Sequence, residues 1–283
     1  MSDLVYASFT ALKVAQARLE TPDVPAKAVL VFSGGQDSTT CLAWLLHHGW
    51  HVHCVTFDYG QKHQRETWAA GCIVKYYCDK PLKGAILTHE IIKLPADVLI
   101  GASPLVNKNA KLEQYANHAE LPGGIEKTFV PCRNQLFATI AANRAAARSA
   151  SVVVLGVCEA DYGGYPDCRS SFLKDLSSTL NEGTFTGEEG AFPELGIAAP
   201  LLNLTKAESI HVMQRIGQLH VLGTTHTGYD GEFPPTGKDH ATLLRAKGFE
   251  EAGIPDPLVL RAWIEGKMPL PKTPNYSGIA GKK

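Results

Sequence analysis

Residues 27–42, KAVLVFSGGQDSTTCL, constrain this chain more than any other stretch. Residues 28–32 form a short unbroken apolar run, the pattern of a parallel strand covered on both faces. A glycine turn follows at once, in which Ser33, Gly34, Gly35, Gln36, Asp37 and Ser38 supply hydroxyls, two residues free to take positive φ, and a helix N-cap. Cys41, Leu42, Leu45 and Leu46 then recur at helical spacing. Strand, tight turn and helix in that order leave several backbone N–H groups aimed at one spot, where the helix dipole favours an anion. The expected occupant is a phosphate or pyrophosphate. A GG pair alone needs only sterics; the full string SGGQDS is far narrower. It is not a Walker loop, because the nearest approach, GEFPPTGKD from Gly231, has one residue too many between its glycines and an acid where a magnesium-binding hydroxyl belongs.

A chain of 283 residues, 45% hydrophobic, can bury the core of one large α/β domain with an elaborated end. Its formal net charge of −1 offers no broad attraction to nucleic acid or to an anionic membrane, which favours a small-molecule substrate. No apolar run approaches the roughly 18 residues of a membrane span, and the N-terminus lacks a signal-peptide pattern, so a cytoplasmic protein is expected. Seven cysteines, an odd number without a CxxC, suit reduced thiols.

After the loop, residues 51–57 alternate as a second strand. His51 and His53 share one of its faces, but no further ligand follows at a metal-binding spacing. Ligands of a doubly wound sheet bind outside the carboxyl ends of the strands, which should bring Asp58, Tyr59 and Gln61 beside the glycine turn. Residues 63–78 are expected to be helical and to bury Trp68, Cys72, Ile73 and Tyr76. Residues 80–128 hold a strand over 85–92 and then a long connection, read as a lid closing over substrate or as a plain insertion. PCRN at 131–134 opens a helix where Arg133 and Asn134 can meet anionic groups; Cys132 lacks a nearby base and is not expected to act as a nucleophile. Residues 151–157 form a third strand, followed by a loop rich in acids and tyrosines: Glu159, Asp161, Tyr165, Asp167 and Arg169. Acids there suit a ring with amino and N–H edges, or magnesium. A helix over 170–183, a strand over 197–202 and a capped helix over 205–216 complete the pattern. Lys206 in the first turn of that last helix opposes the dipole, which points to a phosphate close by.

VFSGGQDSTTCL, FDYGQKHQRE, FVPCRNQLF, YGGYPDCRSSF, PLLNLTKAE and LLRAKGFEEAGIPDP, in that order from about Lys27 to Pro257, resemble the QueC family of 7-cyano-7-deazaguanine synthases, members of the PP-loop ATP pyrophosphatases. The resemblance implies a doubly wound parallel sheet of the HUP-like, adenine nucleotide alpha hydrolase-like kind. It divides the chain into an arm (1–26), the PP-loop domain (27–220) and a C-terminal extension (221–283). It implies that 7-carboxy-7-deazaguanine, ammonia and ATP become a nitrile through adenylated acid and amide intermediates, with release of AMP and pyrophosphate. Catalysis would fall to Ser33, Asp37, Ser38, Arg133 and Lys206. ATP would be held by residues 32–42, including Phe32, Thr39, Thr40, Cys41 and Leu42, with Asp58, Tyr59 and Gln61. The substrate would meet Arg133, Asn134, Glu159, Asp161, Tyr165, Asp167 and Arg169. ATP and Mg²⁺ are the implied cofactors, with no nucleic acid or membrane partner; a homodimer is compatible with the pattern.

One departure from the family pattern stands out. Its C-terminal zinc cysteines fall here on Gly228, Thr236, Asp239 and Thr242, so no structural zinc is expected, and packing of Phe233, Pro234 and Pro235 is expected to hold the region. His226, Asp230, Asp239 and His240 lack the spacing of a substitute tetrahedral site. The family's PGRN is PCRN here. Two other readings stand beside the synthase: a PP-loop relative adenylating a deazaguanine for a different acceptor, and a nucleotide-binding relict without turnover. A tRNA-thiolating relative would need a catalytic CxxC or a basic RNA surface, and the sequence has neither.

Overall fold

A computed structural model describes residues 25–61, 65–107, 109–121, 124–159, 165–184 and 194–279. Almost all of the arm expected over 1–26 and the substrate residue Asp161 lie outside these residues. Five parallel strands form one sheet: β1 (Lys27–Val31), β2 (His51–Asp58), β3 (Ala85–Lys93), β4 (Val152–Val154) and β5 (Gly196–Ala198), in the spatial order β3-β2-β1-β4-β5. Helices α1 (Gln36–His47), α2 (Arg65–Asp79), α3 (Arg133–Arg148), α4 (Ser170–Thr184), α5 (Lys206–Arg215), α6 (His240–Glu251) and α7 (Pro257–Ile264) follow in chain order.

The side-chain period of two sorts the central strands onto two cores. Ala28 and Leu30 of β1, with Val52 and Cys54 of β2, pack beneath α1, α2 and α5. Val29, Val55 and Val153 point the other way, onto Phe137 and Ala141 of α3 and Leu173 and Leu176 of α4. Burial on both faces explains why β1 is apolar throughout. The chain runs outward from β1 to β3 and then returns to place β4 on the opposite flank of β1. The reversal opens a crevice at the carboxyl ends of β1 and β4, where such sheets bind ligands.

Three expectations shift. Helix α2 buries Ala69, Ala70, Ile73 and Tyr77, while Trp68 is 58% exposed. The close approach of Ala70 and Glu66 to Gly34 turns the helix so that small residues face the loop. Strand β4 stops at Val154; Leu155 N–H makes one last bond across to the Ala198 carbonyl at 2.9 Å, and Leu155, Gly156 and Val157 then line the crevice. Strand β5 ends at Ala198, before Pro200 removes a donor and Leu202 N–H turns back to the Ala199 carbonyl at 3.1 Å. His53 is buried, with Nδ1 2.9 Å from Thr88 Oγ1.

The long connection after β3 is anchored by the buried Leu99, Leu105 and Val130 and by a 3.0 Å bond from Ser103 Oγ to the Thr128 carbonyl. It also reaches the C-terminal segment: Tyr115 N–H donates to the Lys238 carbonyl at 2.8 Å, and Glu126 lies 3.7 Å from His240. Among the described residues no helix is long and apolar enough to cross a membrane.

Candidate active site

At the crevice lies a cavity of about 340 Å³, walled by the β1–α1 loop, the ends of β2 and β4, and the first turns of α2, α3 and α5. The loop is built as its sequence requires. Gly34 takes φ +83°, and a Cβ there would lie 2.5 Å from Ala70 N and 2.6 Å from the Glu66 carbonyl, so only glycine lets α2 rest on the turn. The Ser33 hydroxyl accepts from Gly35 N–H at 3.1 Å and lies 3.1 Å from Ser38 Oγ, which ties the loop into a ring. Gly35 caps α1 without a side-chain bond, so the first-turn N–H groups keep no side-chain acceptor and can meet an anion. A Cβ on Gly156 would sit 2.9 Å from Ser38 N, which requires glycine where the end of β4 passes α1.

Asp37 and Lys206 stand at the starts of α1 and α5. Lys206 Nζ donates to both carboxylate oxygens of Asp37, at 2.9 and 2.8 Å. The lysine expected to sense a phosphate is thus paired with the acid of the glycine loop. Gln36 is 3% exposed and lines the cavity, and neither polar atom of its amide has a protein partner. Buried amides are satisfied almost without exception, so the Gln36 amide is left with unmet hydrogen-bonding capacity at the cavity wall.

Arg133 occupies the opposite wall. Burial works against its cation, but the nearby Asp167 carboxyl and a hydrogen bond to the Tyr59 hydroxyl favour it, and the guanidinium stays charged. Burial raises all three phenols, Tyr59, Tyr165 and Tyr229, above their ordinary range. Phe57 and Phe137 stack with centroids 4.1 Å apart, giving this side a flat aromatic floor. Tyr165 is tied to Thr128, oxygen to oxygen at 2.8 Å. Asn134 donates to the Asp167 carbonyl at 3.3 Å. Asp167 is buried, and its carboxyl is raised by desolvation against the pull of Arg133.

Cys132, the N-cap of α3, holds φ 63°. A left-handed conformation costs a residue with a Cβ about 1–2 kcal/mol, partly offset in a glycine variant by its freer unfolded chain. Cys132→Gly is therefore expected to stabilise the protein by about 0.5–1 kcal/mol in urea denaturation.

The structure brings Phe32, Ser33, Gly35, Gln36, Asp37, Ser38, Tyr59, Gln61, Arg133, Asn134, Tyr165 and Lys206 to one cavity. Others sit elsewhere. Thr39, Thr40, Cys41 and Leu42 are fully buried within α1, and Thr40 bonds back to the Gln36 carbonyl. Asp58 accepts from Gly60 N–H at 3.4 Å, folding the β2 exit, and does not line the cavity. Glu159 is exposed and accepts from Ser170 N–H at 3.0 Å at the start of α4; Arg169 is also exposed.

Several wall residues were missing from the sequence-derived set, among them Phe57, Phe137, Glu66, His226 and Tyr229. Glu66 lay within the quoted FDYGQKHQRE block, its only signal. Burial pushes its carboxyl from an ordinary 4.5 up to about 7, opposed by Arg133. A carboxyl raised on folding binds its proton more tightly in the native state, so stability falls as pH rises from 4.5 to about 7. Glu66→Gln should remove that fall: thermal melts are expected to show a higher Tm than wild type at pH 8 and near-equal values at pH 5. An unchanged difference at both pH values would contradict the shift.

The C-terminal positions gather next to this site. Thr236 Oγ1 donates to Asp230 Oδ2 at 2.6 Å, and Asp239 accepts from Thr242 N–H at 3.1 Å and from Thr242 Oγ1 at 3.0 Å. A Cβ on Gly228 would touch both carboxylates, at 3.0 and 3.6 Å. Hydrogen bonds thus join Asp239 to Thr242 and Thr236 to Asp230, with Gly228 packed against both carboxylates, while Phe233, expected to pack with the prolines, carries Arg261 over its ring at 4.1 Å. Among the described residues no group of three or more His, Cys, Asp or Glu is arranged to hold a metal.

Residues 27–253 match the profile of the family described as Queuosine biosynthesis protein QueC. The chain belongs to that family. A 7-cyano-7-deazaguanine synthase of Gloeobacter violaceus is 45% identical over 82% of this chain and 95% of its own length. One of Chromobacterium violaceum is 40% identical over 85% and 96%. Among solved structures, a 4-thiouridine synthetase in an RNA complex with bound ATP shares 15% identity over 85% of this chain and 50% of its own, with TM-score 0.42. The family match spans every wall of the cavity, from β1 through α6.

Proposed function

We propose that the chain is a 7-cyano-7-deazaguanine synthase, which joins the carboxylate of 7-carboxy-7-deazaguanine to AMP, replaces AMP with ammonia, and adenylates the resulting amide so that loss of AMP leaves the nitrile. The supporting observation is the convergence, on one cavity, of the first-turn N–H groups of α1, the Asp37–Lys206 pair and the aromatic wall around Arg133. Family membership favours the same chemistry.

A carboxylate is a poor electrophile, and adenylation turns its oxygen into a leaving group. The α1 N-terminus and Lys206 stabilise the charge that develops on pyrophosphate as it departs. Were Lys206 to turn from Asp37 to the phosphates, Asp37 and the Ser33 and Ser38 hydroxyls would be the oxygen donors for Mg²⁺ carried by the triphosphate, and the ion would neutralise phosphate charge. Arg133 faces the other side of the reacting carbon, placed to hold an anionic oxygen, and the stacked Phe57 and Phe137 suit a planar bicyclic ring. Holding acid and ATP together accounts for much of the acceleration in such a reaction.

Purified protein given the carboxy-deazaguanine, ammonium, ATP and Mg²⁺ should form nitrile, AMP and pyrophosphate. ATP binding without AMP release would favour the relict. AMP formation with no nitrile would favour a relative serving another acceptor.

A further inference from the structure

Converting ammonia into a nitrile nitrogen removes all three of its protons. The first leaves as ammonia adds to the acyl adenylate, giving amide and AMP. The second leaves as the amide oxygen attacks the α-phosphorus of ATP and pyrophosphate departs, and the third as the C–O bond to AMP breaks and the triple bond forms. Each step releases a proton that some group must receive.

Among the described residues two acids line the cavity, Asp37 and Glu66. Both oxygens of Asp37 are engaged by Lys206. The phenols are raised by burial, and so is the Cys168 thiol, to about 12; all of these hold their protons near neutral pH and are not bases there. His226 Nε2 lies 2.7 Å from the Gly228 carbonyl, and His240 faces Glu126. Glu66 remains. It stands in the first turn of α2, against the glycine loop, and its carboxylate accepts no hydrogen bond among the described residues. The groups around it are Arg133 of α3, Tyr59 beyond β2, and Tyr229 of the C-terminal segment. These lie on the side where a substrate anchored by Arg133 presents its reacting carbon.

Building on the synthase reading, we propose that Glu66 is the general base of the nitrogen-transfer steps, taking protons from ammonia and from the amide nitrogen and passing them to solvent through the cavity mouth. Adenylation of the acid consumes no N–H proton and does not use it. The carboxyl's rise to about 7 suits this task, since a base near ambient pH both accepts and returns a proton.

The test compares wild type, Glu66→Gln and Glu66→Asp in two assays: acid-dependent exchange of labelled pyrophosphate into ATP without ammonium, which reads the first adenylation alone, and nitrile formation with ammonium. General-base loss typically costs about 10²–10⁴-fold. In Glu66→Gln the ratio of nitrile formation to exchange should fall about 100-fold or more, and Glu66→Asp should recover part of that loss. Nitrile formation within threefold of wild type, or a parallel fall of both activities, would overturn the assignment. Wild type lacking acid-dependent exchange would instead sink the synthase reading, and this proposal with it.

Discussion

Asp37→Ala is expected to lower AMP formation by about 10²–10³-fold, the usual consequence of removing one preorganised charge contact from a transition state. The fold should survive. Asp37 sits in the first turn of α1, 28% exposed in its side chain, where a carboxylate adds only about 0.3–1 kcal/mol through the helix dipole. Lys206 is 14% exposed and loses its contact with Asp37, but its flexible stem lets the ammonium turn toward the cavity. A small loss of stability therefore goes with a large loss of chemistry. Asp37→Asn separates charge from shape and should lose nearly as much activity. Wild-type AMP formation in either variant would remove the loop from the reaction.

The largest stability effect is expected at Arg245. This guanidinium is 2% exposed and uses every donor: Nε and Nη2 reach Asp256 at 2.6 and 2.8 Å, Nη1 reaches Thr225 and Thr227 at 2.7 and 2.9 Å, and Nη2 also reaches the Leu222 carbonyl at 3.0 Å. Asp256 in turn accepts from Leu258 N–H at 2.8 Å, capping α7. One pair thus joins α6, α7 and the 219–223 turn. Breaking a buried ion pair from one side leaves the other charge uncompensated and costs about 3–5 kcal/mol. Asp256→Asn should lose that much in urea denaturation, and replacing both residues by apolar ones of similar size should lose less. A loss below about 1 kcal/mol in the single variant would show that the C-terminal segment is held by other contacts.

What could be read from the sequence tracks how local its cause is. The β1–α1 loop was legible because SGGQDS dictates its own turn, and the strand before it announces two-sided burial. The α5 start was equally clear, since Thr205 and Glu208 form a capping box within four residues. Glu66, His226 and Tyr229 were not, because they join the cavity only once α2 and the C-terminal segment have packed against the loop. The pairing of Lys206 with Asp37 spans 169 positions and leaves no trace in either neighbourhood. Trp68 misled because period alone does not fix which face of a helix turns inward; the close approach to Gly34 selected Ala69 and Ala70. Glu159 and Arg169 follow a strand's carboxyl end, as ligand residues often do, yet Glu159 turns away to bond the start of α4.

The central claim is that substrate oxygens, and not water, attack ATP in this cavity. It is tested most directly with 7-carboxy-7-deazaguanine carrying ¹⁸O in both carboxyl positions, followed by mass spectrometry of the nucleotide product. The account predicts two AMP molecules per nitrile, each bearing one ¹⁸O. Unlabelled AMP, or ADP in its place, would contradict it.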